Sequence, residues 1–198
     1  MTDSILQRDR NIAHRGVFFR NWLRDPFHVA SIVPSSRWLA KAMATGLTPG
    51  ARVLELGAGT GTLTTAILEC GVRRNDLYLV ENNSDFAGVL QQRFPGTHVL
   101  EADAAALPEY LGNLRGSFDY VVSGLPIVWF DKTTQARILS GAFELLRPSG
   151  CFHQFTYLGR SPIRPPMLTS LGLAAKLLRL APLNFPPAFA YRFERTAT

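Results

Sequence analysis

VLELGAGTGTLT, residues 53–64, sets one acid, Glu55, in a short apolar run and then spaces glycines at positions 57, 59 and 61. Four apolar-flanked residues followed by glycine read as a buried strand entering a sharp turn. Glycines there permit left-handed backbone and leave no Cβ between a ligand and the main chain. Thr60, Thr62 and Thr64 surround the start of the helix that follows, whose first N–H groups lack intrahelical partners. The spacing is G-x-G-x-G, not the G-x-G-x-x-G that cradles a pyrophosphate. A carboxylate at that strand end disfavours phosphate and suits a ligand with cationic or hydroxylated groups.

Outward from this stretch, strand-like and helical runs alternate. Strands are expected at 52–56, 77–82, 97–103, 118–126, 151–158 and 190–196, and helices near 62–70, 85–94, 104–111, 132–146 and 166–180. Alternation of this kind predicts an α/β chain with a mainly parallel sheet and helices on both faces. In such sheets ligands bind beyond the carboxyl ends of the strands. Glu81 and Asn82 end the second predicted strand, and Asp103 followed by Ala104 ends the third. Glu81 suits two ribose hydroxyls, Asp103 an adenine amino group, and the Ala104 N–H adenine N1. Helix capping is the plainer role for any one of these acids. Three acids at three successive strand ends, with Glu55 facing an ammonium through water, describe a site for S-adenosylmethionine.

The 198 residues are 46% hydrophobic and carry a net charge of +6, enough for one sizeable core and a basic surface. From Leu145 to Phe193 there is no Asp or Glu, yet Arg147, Arg160, Arg164, Lys176, Arg179 and Arg192 lie there. An anionic partner fits that distribution, and a solvated basic face is the alternative. Residues 3–24 read as an amphipathic helix: Ile5, Ile12, Gly16, Phe19 and Leu23 share a stripe, with Phe18, Trp22 and several Arg beside it. Such a helix suits an anionic bilayer surface or a lid over the ligand site. The start MTDSILQRDR carries no signal-peptide pattern, and no apolar run approaches the roughly 20 residues of a membrane span. Cys70 and Cys151 have no framework spacing, and the four histidines form no ligand spacing, so neither disulfide nor metal is expected.

With ELGAGTG, VEN and EAD in this order, residues 35–197 resemble the class I S-adenosylmethionine-dependent methyltransferases. That resemblance implies a Rossmann-like seven-stranded sheet with its last strand antiparallel; the seventh strand is expected in the Pro-rich 182–190 stretch. Adding IVPSS (32–36), the loop SGLP (123–126) and the TY of QFTYL with its basic Pro-rich sequel, the chain resembles the bacterial phospholipid N-methyltransferases of the soluble Rhodobacter-like type. The resemblance implies methyl transfer to the amine of phosphatidylethanolamine, through monomethyl and dimethyl forms to phosphatidylcholine, with S-adenosylhomocysteine as product. It also sets Ser35 and Ser36 beside the cofactor's methionine end; N-capping is their plainer role.

The acceptor is expected at the end of the fourth strand. Ser123 and Gly124 stand where nucleobase amino-methyltransferases carry an Asn or Asp, although Pro126 remains. Tyr157, His153 and Ser123 are the candidate catalytic groups, with the Gly124 and Leu125 carbonyls orienting the amine. Ordinary strand packing is the alternative for Tyr157 and His153. Arg160, Arg164 and Lys176 are candidate phosphate contacts, and Phe19 and Trp22 candidate lipid contacts. The expected organisation is residues 1–30 as the membrane-binding or lid helix and 31–198 as the methyltransferase domain. A cytoplasmic monomer, peripheral on the inner face of the membrane, follows from this reading. Its competitors are an rRNA adenine N6-methyltransferase and a non-catalytic binding module on the same fold.

Overall fold

The computed structural model describes residues 36–184 and 186–196. The 3–24 helix, Phe19, Trp22 and Ser35 lie outside the described residues. Seven strands form one sheet in the order β3-β2-β1-β4-β5-β7-β6. They are β1 (Val53–Leu56), β2 (Leu77–Glu81), β3 (His98–Glu101), β4 (Phe118–Ser123), β5 (Leu146–Thr156), β6 (Leu173–Ala181) and β7 (Ala188–Arg195). β1 to β5 pair in parallel, and β7 runs antiparallel between β5 and β6.

Helices cover both faces, as the alternating sequence predicts. On one side lie α1 (Ser36–Met43), α2 (Thr62–Glu69) and α3 (Ser84–Arg93), packed on Val53, Leu77, Leu79 and Val122. On the other lie α4 (Leu107–Leu111), α5 (Lys132–Leu145) and α6 (Pro165–Ser170), packed on Leu54, Leu56, Val121 and Phe152. Alternate residues of one strand thus feed two cores, which is why the parallel strands read as nearly continuous apolar runs.

The 166–180 helix is the clear misreading. The helix stops at Ser170, Gly172 takes φ +63°, and residues 173–181 are the edge strand β6. The seventh strand is therefore LAAKLLRLA, not the 182–190 stretch. Its Leu, Ala, Lys and Arg are all good helix formers, and pairing along β7 overrides them. A smaller difference concerns β5, which starts at Leu146 rather than 151. A register shift between its pairs with Phe118 and Tyr120 absorbs the Arg147–Gly150 excursion.

Candidate active site

The turn after β1 is held from several sides. Gly57 N–H donates to the Val80 carbonyl at 2.8 Å, and Arg93 Nη1 donates to the Thr60 carbonyl at 2.6 Å. Glu81 ties the middle of the turn to β2: its Oε2 accepts from Gly59 N–H at 2.8 Å and its Oε1 from Asn83 N–H at 2.9 Å. All three glycines take positive φ, +68°, +53° and +84°. Their reasons differ. A Cβ on Gly57 would lie 2.6 Å from Leu125 Cδ2, and one on Gly61 2.2 Å from Phe94 Cε2. A Cβ on Gly59 would meet nothing within 4 Å. Gly57 and Gly61 therefore serve packing, whereas Gly59 borders open space of the kind a ligand needs.

The three acids stand at the ends of three adjacent strands. Glu81 keeps lone pairs beyond its two backbone bonds, as ribose hydroxyls would require. Asp103 is exposed, and its Oδ1 accepts from Ala105 N–H at 2.8 Å, leaving its other oxygen and the Ala104 N–H outside that bond. Asn82 is exposed beside Glu81, and Thr62 is half-buried at the start of α2. Glu55 is wholly buried beneath the first turn of α2, where its Oε2 accepts from the Thr64 hydroxyl at 2.7 Å. Its Oε1 has no partner, and burial pushes its pKa up to about 8. A buried polar atom left without a partner is costly, so a water that reaches it is stabilised. These residues fit a nucleoside-plus-ammonium ligand.

At the end of β4 the loop expected to receive the acceptor rests on the glycine turn. Gly124 N–H donates to the Leu56 carbonyl at 2.8 Å, and a Cβ at Gly124 would lie 2.9 Å from the Gly57 oxygen. The Leu125 carbonyl accepts from Ile127 N–H at 2.9 Å and from Gln154 Nε2 at 2.8 Å. With both lone pairs used, it does not orient an amine as expected. The Gly124 carbonyl takes part in none of these bonds. Pro126 is half-buried and its carbonyl accepts from Trp129 N–H. Ser123 is wholly buried, with its Oγ accepting from Leu125 N–H at 3.3 Å, so it shapes the turn and does not reach a substrate.

The fifth strand also corrects the catalytic set. His153 and Tyr157 share a side, but His153 is buried under α1, with Nδ1 2.9 Å from the Met43 carbonyl. Burial pulls its pKa down to about 4, which leaves it neutral and away from the strand end. It is a packed core histidine. Tyr157 does reach the carboxyl edge, half exposed. Burial raises its pKa, against a hydrogen bond with Asn184, so it keeps its proton and is no base near neutral pH.

Among the basic residues, Lys176 pairs with Glu194, which Arg192 Nε also approaches at 3.1 Å. Glu194, one residue beyond the acid-free segment, thus removes Lys176 from the phosphate candidates. Arg160 and Arg164 are exposed and enter no ion pair among the described residues. Ser36 opens α1. No group of three or more His, Cys, Asp or Glu among the described residues could hold a metal. No helix among them is long and apolar enough to cross a membrane.

Three contributors escaped the sequence reading. Gln154 is wholly buried, braces Leu125 and leaves its own Oε1 without a partner. Arg93 and Asn83 hold the turn and the end of β2. A polar Gln inside the apolar strand CFHQF was the visible signal for the first; nothing local marks the long-range contact of Arg93.

The model of the methyltransferase domain matches residues 53–150. An ornithine lipid N-methyltransferase of Singulisphaera acidiphila is 35% identical over 147 residues, 71% of this chain and 76% of that protein. A ribosomal RNA small subunit methyltransferase A of a Synechococcus species is 36% identical over 98 residues, 46% of this chain but 31% of that protein. In structure, the 1,6-didemethyltoxoflavin-N1-methyltransferase of Burkholderia thailandensis, solved with S-adenosylhomocysteine, superposes with TM-score 0.67 at 18% identity, covering 96% of this chain and 90% of that one. A TehB-like methyltransferase of Corynebacterium glutamicum gives 0.58 at 17% identity, covering 93% and 99%. The chain belongs to the class I S-adenosylmethionine-dependent methyltransferases, with S-adenosylmethionine as methyl donor and S-adenosylhomocysteine as product.

Proposed function

We propose that this enzyme methylates the amine of a membrane lipid head group, phosphatidylethanolamine, in successive rounds toward phosphatidylcholine. The observation that carries the acceptor class is the loop after β4. It offers an amine the Gly124 carbonyl and no amide or carboxylate side chain, an arrangement poorly suited to fixing a planar nucleobase amine. Support comes from the Singulisphaera relative, which by name methylates ornithine lipid. The ribosomal RNA relative keeps the adenine reading as the competitor, over less than half of the chain.

When bound, S-adenosylmethionine supplies a methyl group on a sulfonium, an electrophile for in-line attack by nitrogen. Glu81 holds the ribose end, Asp103 and the Ala104 N–H the adenine, and Gly59 lets the ligand lie against the backbone. Arg160 and Arg164 hold the lipid phosphate, where a two-pronged guanidinium contact fixes direction as well as charge. The Gly124 carbonyl accepts from the incoming nitrogen and aims its lone pair, and such positioning supplies much of the rate. With His153 buried and Tyr157 holding its proton, the ammonium loses its proton to water. Arg160 and Arg164 lower the amine pKa by like-charge repulsion.

Labelled S-adenosylmethionine, offered in parallel to phosphatidylglycerol vesicles carrying phosphatidylethanolamine, to vesicles carrying ornithine lipid and to ribosomal RNA, tests this. Label in methylated phosphatidylethanolamine, lost in Asp103→Asn and Glu81→Gln, is the expected result. Label in ornithine lipid alone changes the head group, and label in RNA alone refutes the lipid reading.

A further inference from the structure

Away from the cofactor residues, four leucines project from one border of the sheet. Leu158, Leu177, Leu180 and Leu183 are 44%, 56%, 45% and 63% exposed, high values for large apolar side chains. Strand register explains why they gather. β6 is the sheet's edge, and a bulge between Leu177 and Arg179 sets Leu177 opposite Tyr191 and Leu180 opposite Phe189. Tyr191 and Phe189 are two apart on β7, so Leu177 and Leu180 share a face. Phe189 also pairs with Thr156 at the end of β5, which places the β6–β7 turn, with Leu183, at the carboxyl edge that carries the acceptor loop. Gly159 lies against the Phe189 ring, where a Cβ would sit 3.8 Å from Cζ, bringing Leu158 and Arg160 to the same corner.

Charge decides what this border faces. Arg160, Arg164 and Arg179 are exposed and enter no ion pair among the described residues. Glu194, the one acid of β6 and β7, is taken by Lys176 and Arg192. Leucines on one face of the edge strand, with the unneutralised Arg160 at their corner, complement an interface that is apolar below and anionic above.

We propose that the β6 edge and the β6–β7 turn form a docking surface for an anionic lipid bilayer, with Leu177, Leu180 and Leu183 entering the head-group region and Arg160 lying on the phosphates beside them. The surface sets the carboxyl edge of the sheet against the membrane, so a head group reaches the acceptor loop without leaving its leaflet. This rests on the lipid reading of the site, but it is measurable apart from catalysis.

The full chain is mixed with sucrose-loaded vesicles of phosphatidylglycerol and phosphatidylethanolamine, or of phosphatidylcholine alone, and sedimented. Wild type is expected to partition onto the anionic vesicles, and Leu180→Ser/Leu183→Ser to lower that partition about tenfold. Melting temperature and S-adenosylhomocysteine affinity should stay unchanged in the variant. A short-chain phosphatidylethanolamine below its micelle concentration should still be methylated at the wild-type rate. Unchanged partition of the double variant overturns the proposal. So does a wild-type dimer that the two substitutions dissociate, since a second copy would then be the occupant. If wild type methylates no lipid at all, the proposed function falls, and the sedimentation result alone decides the docking surface.

Discussion

Replacing Gly59 by Ala separates what the turn does for folding from what it does for the ligand. At φ +53° an alanine carries the left-handed penalty of about 1–2 kcal/mol. No packing cost adds to it, because the new Cβ meets nothing within 4 Å. For a chain of this size that corresponds to a fall in melting temperature of about 2–8 °C. The methyl group instead enters the space beside the backbone where the cofactor is proposed to lie. S-adenosylhomocysteine affinity should then drop at least about tenfold, or about 1.4 kcal/mol. Gly61→Ala is the contrasting variant. Its Cβ would fall 2.2 Å from Phe94 Cε2, so its defect should be in folding yield and stability. Isothermal titration with S-adenosylhomocysteine, beside thermal melts, reads both quantities. A Gly59→Ala protein that melts slightly lower yet binds with wild-type affinity would refute the claim that the cofactor passes over Gly59.

Glu55, with its pKa raised from 4.5 to about 8, holds more protons folded than unfolded, so its share of stability is lost as pH rises through that window. His153, lowered from 6.5 to about 4, holds fewer, so its share is lost as pH falls. The two oppose each other up to pH 6.5, and from there to 8 stability should fall by about 2 kcal/mol on account of Glu55. Urea unfolding at both pH values should show that slope flattened in Glu55→Gln; an identical slope would count against a buried neutral carboxyl. Gln154→Leu releases the Leu125 carbonyl while removing an unpartnered oxygen, so stability should change by less than about 1 kcal/mol. Its kcat should nonetheless fall about tenfold with cofactor affinity intact; an unchanged kcat would show that the loop needs no brace. Arg195 donates to the carbonyls of Phe143, Leu146, Arg147 and Pro148 at the junction of α5 and β5. Arg195→Ala should cost about 2–3 kcal/mol in chemical denaturation, with Arg195→Lys recovering only part.

The fold was legible where local signal and tertiary demand agree. GAGTG announced a turn that the packing of Gly57 and Gly61 requires, and β1, β2 and β4 are largely apolar because both sheet faces are covered there. β6 was illegible for the converse reason: its residues favour helix, and only pairing with β7 makes them a strand. Gly172 was the available clue, since a glycine after an apolar helical pattern marks a stop. The placement of the three acids near the ends of β1, β2 and β3 was legible because strand ends are fixed by sequence pattern. The roles of His153, Ser123, Leu125 and Lys176 were not. Each was decided by a partner far along the chain or by depth of burial, Met43 and Glu194 among them, and neither is written in local spacing.

The seating of the β4 loop on the glycine turn also limits how acceptor preference can diversify. Gly124 has no room for a side chain against the Gly57 oxygen, and Leu125 fills the hollow that Gly57 leaves. Both positions are committed to packing on the glycine turn. A mutational library aimed at new acceptors should therefore find its viable solutions at Pro126, Val128 and Trp129, with positions 124 and 125 returning as wild type.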